Sequence, residues 1–349
     1  MTIIYNKIMF KPNFSLSQKL LKSITQIERL YGQLEGLKIP QKLELNLQRD
    51  NLIQSAYVSN SIEGNPLTLM EVTNLLLSDR VPVNRDEKEV TNYFNLLQNL
   101  KTYTKQKISL NLIKDFHRQL ITGVRDEIAG KIRDKKVVIG KYSHEEKKTF
   151  SLEVKHEPPF HQIEKIEAAL KKLCRWVDND TQTPIVIKAG VFHHHFVYIH
   201  PFVDGNGRVS RLLTALIFLK NKYRINKYFV LDDYYDIDRH QYSDKLHTAD
   251  KGNKTEWLEY FSDGVKYSLQ GSLSRIETAL FKLKVEERPT TKERQVLEII
   301  EKRKEITSTD LADILKVSRQ QSHNLLKSLV DKGFLNKKGK TKRSYYYLK

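Results

Sequence analysis

The sequence predicts a mostly α-helical fold with one small β-hairpin near the middle and a separate small domain at the C-terminal end. Three observations carry this. Long stretches place apolar residues at helical spacing between short polar turns. Near Gly130 the pattern changes to short β-branched or alternating runs. Near Pro289 a Pro-Thr-Thr break separates the body of the chain from a short, strongly basic segment. At 349 residues, two or three domains are expected. The breaks suggest an N-terminal helical region over 1–105, a core over 106–283, a linker over 284–292 and a small domain over 292–349. No internal repeat is visible.

Taken in order, Leu20, Leu21, Ile24, Ile27, Leu30, Tyr31 and Leu34 fall on one helical face. Pro40 then opens a second, less regular helix through Leu43, Leu47, Ile53 and Tyr57. KKVVIG and KTFSLEVKH read as the two arms of a hairpin, ended by Pro158 and Pro159. Helix returns at HQIEKIEAALKKLCRWV. Trp257, Leu258 and Phe261 have the spacing of core residues. After the break, ERQVLEIIEKR, STDLADIL and RQQSHNLLKSLVDKG read as three helices, the last stopped at Gly333. FLNKKGKTKRSYYYLK reads as a two-stranded wing turning at Gly339.

Composition excludes several classes. With 39% hydrophobic and 29% charged residues the chain is globular rather than disordered. Its longest apolar run, near Leu212 to Leu219, is far short of the roughly 20 residues of a membrane helix. The N-terminus lacks the pattern of a signal peptide, so a cytoplasmic location and no membrane partner are expected. A single cysteine, Cys174, allows neither an internal disulfide nor a cysteine metal cluster and reads as a packing residue. The net charge of +18 favours an acidic partner. It is concentrated at the end, where residues 288–349 hold 16 Lys plus Arg against 7 Asp plus Glu.

The chemistry centres on HPFVDGNGRVSR, residues 200–211. Gly205 and Gly207 let the backbone approach a ligand just before a helix start, whose free N–H groups attract phosphate. Arg208 and Arg211, three apart, can face one anion. Asp204 supplies the hard oxygen that magnesium prefers, and His200 a base near neutral pH. Singly these are an ordinary turn, a solvated face and a satisfied polar residue. Together, within twelve residues, they read as a phosphate site.

This segment resembles the Fic signature, HPFx(D/E)GNGRxxR, at every fixed position. The likeness extends over roughly Leu16 to Tyr267, through GKIR at 130–133, the VVIG and EPP around the hairpin, and Tyr242. It implies an all-helical core with a small β-hairpin flap, at Ile139 and Gly140, that clamps the substrate peptide. It also implies a nucleotidyltransferase: an enzyme that uses ATP and Mg2+ to move AMP onto a Ser, Thr or Tyr hydroxyl of a target protein, or onto itself. In these roles His200 deprotonates the hydroxyl and Asp204 binds magnesium. Asn206 and the Gly205 and Gly207 backbone hold the α-phosphate region, while Arg208 and Arg211 hold the outer phosphates. Phe202 anchors the loop. At the adenine, where relatives place two Tyr and an Asn, this chain has Tyr242, Ser243 and Asp250. The stretch between VVIG and EPP is long, so an extended flap is expected.

Upstream, SNSIEG at Ser59 to Gly64 fits the family's inhibitory pattern, (S/T)xxxE(G/N), which implies that Glu63 opposes Arg211. Gly64, Asn65 and Pro66 also suit a helix end, and the two readings are compatible. His193, His194 and His195 are adjacent but lack further ligands in a recognised order, so packing explains them better than zinc.

The C-terminal segment resembles a winged helix-turn-helix. That implies duplex DNA as a partner, with Arg319, Gln320, Gln321, Asn324 and Lys327 on the groove-facing helix and Lys337, Lys338, Lys340, Lys342 and Arg343 on phosphates. Winged helices also bind proteins or pack within dimers, so a homodimer is left open. Two alternatives stand beside the transferase: a DNA-binding regulator whose core only senses nucleotide, and an enzyme that transfers another group or removes AMP.

Overall fold

The computed structural model describes residues 10–349 except 79, 145–149, 226–229, 287 and 340–343. The chain divides into two compact units, Met1–Leu273 and Ser274–Lys349.

In the first unit, α1 (Gln18–Gly36) starts at Ser17, whose hydroxyl accepts from Leu20 N–H, and buries Leu20, Ile27, Tyr31 and Leu34. Next, α2 (Gln41–Ile62) follows Pro40, and α3 (Leu69–Leu77) is opened by a Thr68–Glu71 capping box. Asn84 and Ser109 cap α4 (Arg85–Asn99) and α5 (Leu110–Ile121). The hairpin pairs β1 (Ile139–His144) antiparallel with β2 (Phe150–His156), Ile139 opposite His156, with an irregularity between Ile139 and Gly140. Its far end, and with it the extent of the flap, lies outside the described residues. α6 (Ile163–Asn179) buries Cys174, whose thiol is pushed up to about 12 by burial.

The centre of this unit is α7 (Ile185–Ile199) packed on α8 (Asn206–Lys220). Both are buried on nearly all sides, which explains why neither shows a one-sided apolar stripe in the sequence. α9 (Asp233–Ile237), α10 (Arg239–Thr248) and a 3-10 turn, Ala249–Lys251, lead to α11 (Thr255–Glu286). Trp257, Leu258 and Phe261 are fully buried, as their spacing predicts.

The second unit contains α12 (Thr291–Arg303), β3 (Glu305–Thr307), α13 (Ser308–Leu315), α14 (Arg319–Asp331), β4 (Leu335–Lys338) and β5 (Tyr345–Leu348). Val296, Ile300, Ile306, Leu311, Leu326, Leu329, Leu335 and Tyr346 form its core. Two expectations are corrected here. The wing is a three-stranded sheet, in the order β3-β5-β4, because Glu305–Thr307 adds a strand too short to show a period. The linker is also shorter than 284–292: α11 runs to Glu286, and α12 begins at Thr291 behind a Thr290–Glu293 capping box.

Candidate functional site

The loop 200–205 joins the C-terminus of α7 to the N-terminus of α8, and backbone conformation fixes it at both ends. His200 caps α7 in the left-handed region, with φ 50° and ψ 64°, a strained state that a non-glycine residue keeps only when its surroundings impose it. Gly205 caps α8 with φ 77°, and a Cβ there would lie 3.2 Å from Ile121 and 3.4 Å from Leu120. Between them Phe202 is fully buried and stacks on His117, with ring centroids 3.7 Å apart.

Two residues whose roles are invisible in the sequence hold this loop. Arg133, within the GKIR segment, donates from Nε to His200 O at 2.6 Å and from its terminal nitrogens to Lys135 O, Phe160 O and Ile199 O. His117 accepts from Gly130 N–H at Nδ1 and therefore donates from Nε2 to Asp204 O at 3.1 Å. Burial pushes the His117 imidazole down to about 4, so this tautomer stays neutral.

The motif residues converge at the N-terminus of α8. His200 is half-buried, and desolvation of its ring first, then the charges of His156 and Arg133, push it down to about 4, which leaves a neutral imidazole at pH 7. The Asp204 carboxylate accepts from Gly205 N–H at 2.6 Å and from Arg208 at 3.3 Å through Oδ1. Its Oδ2 has Arg125 at 3.8 Å and Arg85 at 3.9 Å. The Asn206 side chain accepts from Phe202 N–H and donates to Phe202 O, so its amide closes the loop.

Both arginines are buried and paired. Arg208 meets Glu89 at 3.3 Å, Asp204 at 3.3 Å and Asn60 at 3.5 Å, while its Nε has no partner. Arg211 donates from Nε to Ser59 Oγ at 2.6 Å, and from one terminal nitrogen to Ser59 O at 2.9 Å and to Glu63 Oε1 at 2.7 Å. Asp232 lies 3.9 Å away. Burial acts against the Arg211 charge, but Glu63, Tyr242 and Asp232 outweigh it and hold the guanidinium above its ordinary range.

Glu63 is the C-cap of α2, which ends at Gly64 with φ 89°, so the helix-end reading and the pairing with Arg211 coexist. Its carboxylate covers the first turn of α8: a Cβ on Gly207 would lie 2.2 Å from Glu63 Oε1. A helix start with free N–H groups is where an anion is best held, and the Glu63 carboxylate lies beside this one.

The adenine expectations need correction. Tyr242 is buried, stacked on Tyr235 at 4.4 Å, and its hydroxyl meets His193 Nε2 at 2.8 Å. It supports the arginine from within the core instead of offering a ring face to a base. Asp250 is enclosed by His156, His194 and His247 at 2.7 to 2.9 Å. Burial works to raise its pKa, but the contacts with His156, His194 and His247 hold it far below the usual carboxylate range. The three consecutive histidines point apart: His193 to Thr214 and Tyr242, His194 to Asp250, and His195 against Phe10.

In the second unit Arg319, Gln320, Asn324 and Lys327 are exposed along α14. Gln321 is exposed as well and also closes the Ser318 capping box, its amide oxygen accepting from Ser318 N–H at 3.1 Å. Lys337 and Lys338 are exposed on β4, and Lys340, Lys342 and Arg343 lie outside the described residues.

These features define a helical domain built around the loop 200–205 and the start of α8, in a chain that also carries a small winged-helix unit. Comparison with known proteins assigns a domain to each unit. Residues 107–218 match the Fic/DOC family and residues 289–343 the MarR family, so the chain carries a Fic domain and a MarR-family winged-helix domain. It is 24% identical over 298 residues to protein adenylyltransferase fic-1 of Caenorhabditis briggsae, covering 82% of this chain and 54% of that protein. It is 26% identical over 257 residues to protein adenylyltransferase Fic of Nematostella vectensis, covering 70% and 53%. The chain thus spans about half the length of the curated relatives it matches. Two solved structures share the fold. A Fic family protein from Desulfovibrio desulfuricans G20 has a TM-score of 0.66 at 22% identity, over 97% of this chain and 98% of that one. Fic-1 from C. elegans has 0.60 at 22% identity, over 74% and 73%. No helix among the described residues is long and apolar enough to cross a membrane.

Proposed function

We propose that this protein transfers AMP from ATP to a Ser, Thr or Tyr hydroxyl, on a target protein and on itself, and that Glu63 restrains the reaction. The observation that carries this is the Glu63 carboxylate, 2.7 Å from Arg211 and seated over the first turn of α8 beside the loop that bears His200. It occupies an anion site next to a neutral base.

The residues fit a nucleotide. Arg208 keeps an unpartnered Nε, and the α8 N-terminus is shaped by Gly205 and Gly207 for close backbone approach. They also fit magnesium brought in on phosphates: Asp204 offers one carboxylate oxygen, while Arg85 and Arg125 beside it disfavour a bare cation. Magnesium so held would neutralise phosphate charge. His200 takes the proton of the attacking hydroxyl, its oxygen bonds to the α-phosphorus, and pyrophosphate leaves with the former bond's electron pair. The α8 N–H groups and Arg211 steady the phosphates. The test is to incubate the chain with ATP and magnesium and read intact mass. An adduct of about 329 Da, an AMP group less water, is expected from attack at the α-phosphorus. No adduct on the protein or on any added protein substrate, with wild type and with Glu63→Gly, refutes transfer.

The winged helix supports a second activity, duplex DNA binding, because α14 presents exposed Arg319, Gln320, Asn324 and Lys327 beside a basic β4. Reversing the charge of Arg319 and Lys327 should weaken salt-sensitive DNA binding uniformly across sequences and flatten its salt slope by about two. Unchanged binding refutes this surface.

A further inference from the structure

Asp250, on the turn after α10, is met by histidines from three different elements. His156 Nδ1 lies 2.7 Å and His247 Nδ1 2.9 Å from its Oδ2, while His194 Nε2 lies 2.9 Å from its Oδ1. The hydrogen-bond partners fix where the ring protons must be. Lys254 Nζ, 2.8 Å from His194 Nδ1, donates to that nitrogen, so His194 carries its proton on Nε2 and donates it to Asp250. That contact is satisfied.

His156 is different. Its Nε2 lies 3.0 Å from the carbonyl oxygen of Tyr198, which can only accept, so the ring proton is on Nε2. A neutral His156 therefore turns the Nδ1 lone pair toward a carboxylate oxygen, acceptor against acceptor at 2.7 Å, in a side chain only 3% exposed. A cation between the two atoms relieves such a contact. His247 Nδ1 converges on the same oxygen. Among the described residues this is the group of His, Cys, Asp or Glu whose ligand atoms all lie within 4.8 Å of one another.

We propose that His156, His247 and Asp250 form a site for a divalent transition-metal ion of zinc's ligand preference, bound through the two Nδ1 atoms and Oδ2, with a fourth position open. Zinc accepts imidazole nitrogen and carboxylate oxygen at about 2.0–2.2 Å, within small side-chain shifts of the present positions. A histidine ligand typically donates its other ring N–H to a carbonyl, as His156 does to Tyr198. Two nitrogen donors suit zinc and not magnesium, which separates this site from Asp204. The side chains of His247 and Asp250 are 14% and 19% exposed, which leaves a path for entry. A metal here ties the end of β2 to α10 and the turn behind it, and so fixes the base of the hairpin.

The test uses the full-length, untagged chain, stripped with a chelator and titrated with Co2+ and then Zn2+. One equivalent of Co2+ should give visible absorption bands of a low-coordinate nitrogen and oxygen site, and Zn2+ should abolish them. H247A and D250N should each weaken binding on the order of tenfold or more, the loss seen even for outer-shell changes. H161A, at an exposed histidine elsewhere, should not. H247Q, with a melting curve, serves if H247A does not fold. A wild-type chain that takes up no stoichiometric metal at micromolar concentration, or variants that bind as wild type does, assigns the cation on His156 to a proton and overturns the proposal.

Discussion

Replacing Glu63 with Gly should release the proposed transferase. In the resting structure one terminal nitrogen of Arg211 is shared between Ser59 O and Glu63 Oε1, while its Nε is held by Ser59 Oγ. Glu63→Gly removes one charge-assisted bond at 2.7 Å and clears the carboxylate from Gly207. Such a bond contributes about 1.5 to 3 kcal/mol. Transferred to a γ-phosphate, that is roughly a ten- to hundredfold gain in productive ATP placement. Stability should fall only modestly. Glu63 is partly exposed, the two Ser59 contacts remain, and Asp232 at 3.9 Å still compensates the buried guanidinium. The assay is the initial rate of self-labelling with ATP carrying an α-phosphate label, at saturating ATP and magnesium. Wild type, Glu63→Gly, and Glu63→Gly with Arg211→Ala are compared. The first variant should be faster by that factor, and the double variant should lose the gain because the residue being released is gone. A folded Glu63→Gly chain labelling at or below the wild-type rate refutes the reasoning and leaves SNSIEG as a helix end.

Three further outcomes are expected. His200→Ala should keep ATP binding, read by calorimetry, while labelling falls by about 10² to 10⁴, the usual contribution of a positioned base; undiminished labelling removes His200 from the mechanism. Asp204→Ala should weaken ATP binding in magnesium but not in a chelator, and overlapping magnesium titrations of the two proteins would place the ion elsewhere. Acid should destabilise the fold above the range where carboxylates titrate. His195 and His200 are pushed down to about 3 and about 4, and His193 also lies well below 6.5, all by burial. Below pH 6.5 the unfolded chain binds protons that the folded chain refuses. Stability is therefore full above that value and falls as pH drops toward 4, by up to about 1.4 kcal/mol per pH unit per histidine. Asp232, raised to about 6 by burial, opposes this with a single proton. A urea midpoint that is the same at pH 7 and pH 5 would contradict it.

The helical class, the hairpin and the glycine-flanked loop ahead of α8 were legible in the sequence, because each is a local matter. Helical spacing, the β-branched switch near Gly130, and two glycines ahead of a helix start are written within a few residues of one another. The fit of Glu63 to Arg211 was legible only through the family resemblance, since 148 residues separate them and no local rule joins them. Tertiary structure alone decided which polar groups are free. Asn206 is turned to Phe202, Tyr242 to Tyr235 and His193, and Asp250 to three histidines. Arg133 and His117 hold the loop through carbonyls brought near by packing. A side chain's type gives the bonds it can make. Which of those bonds burial has already used depends on every neighbour in three dimensions, and a sequence lists only neighbours along the chain.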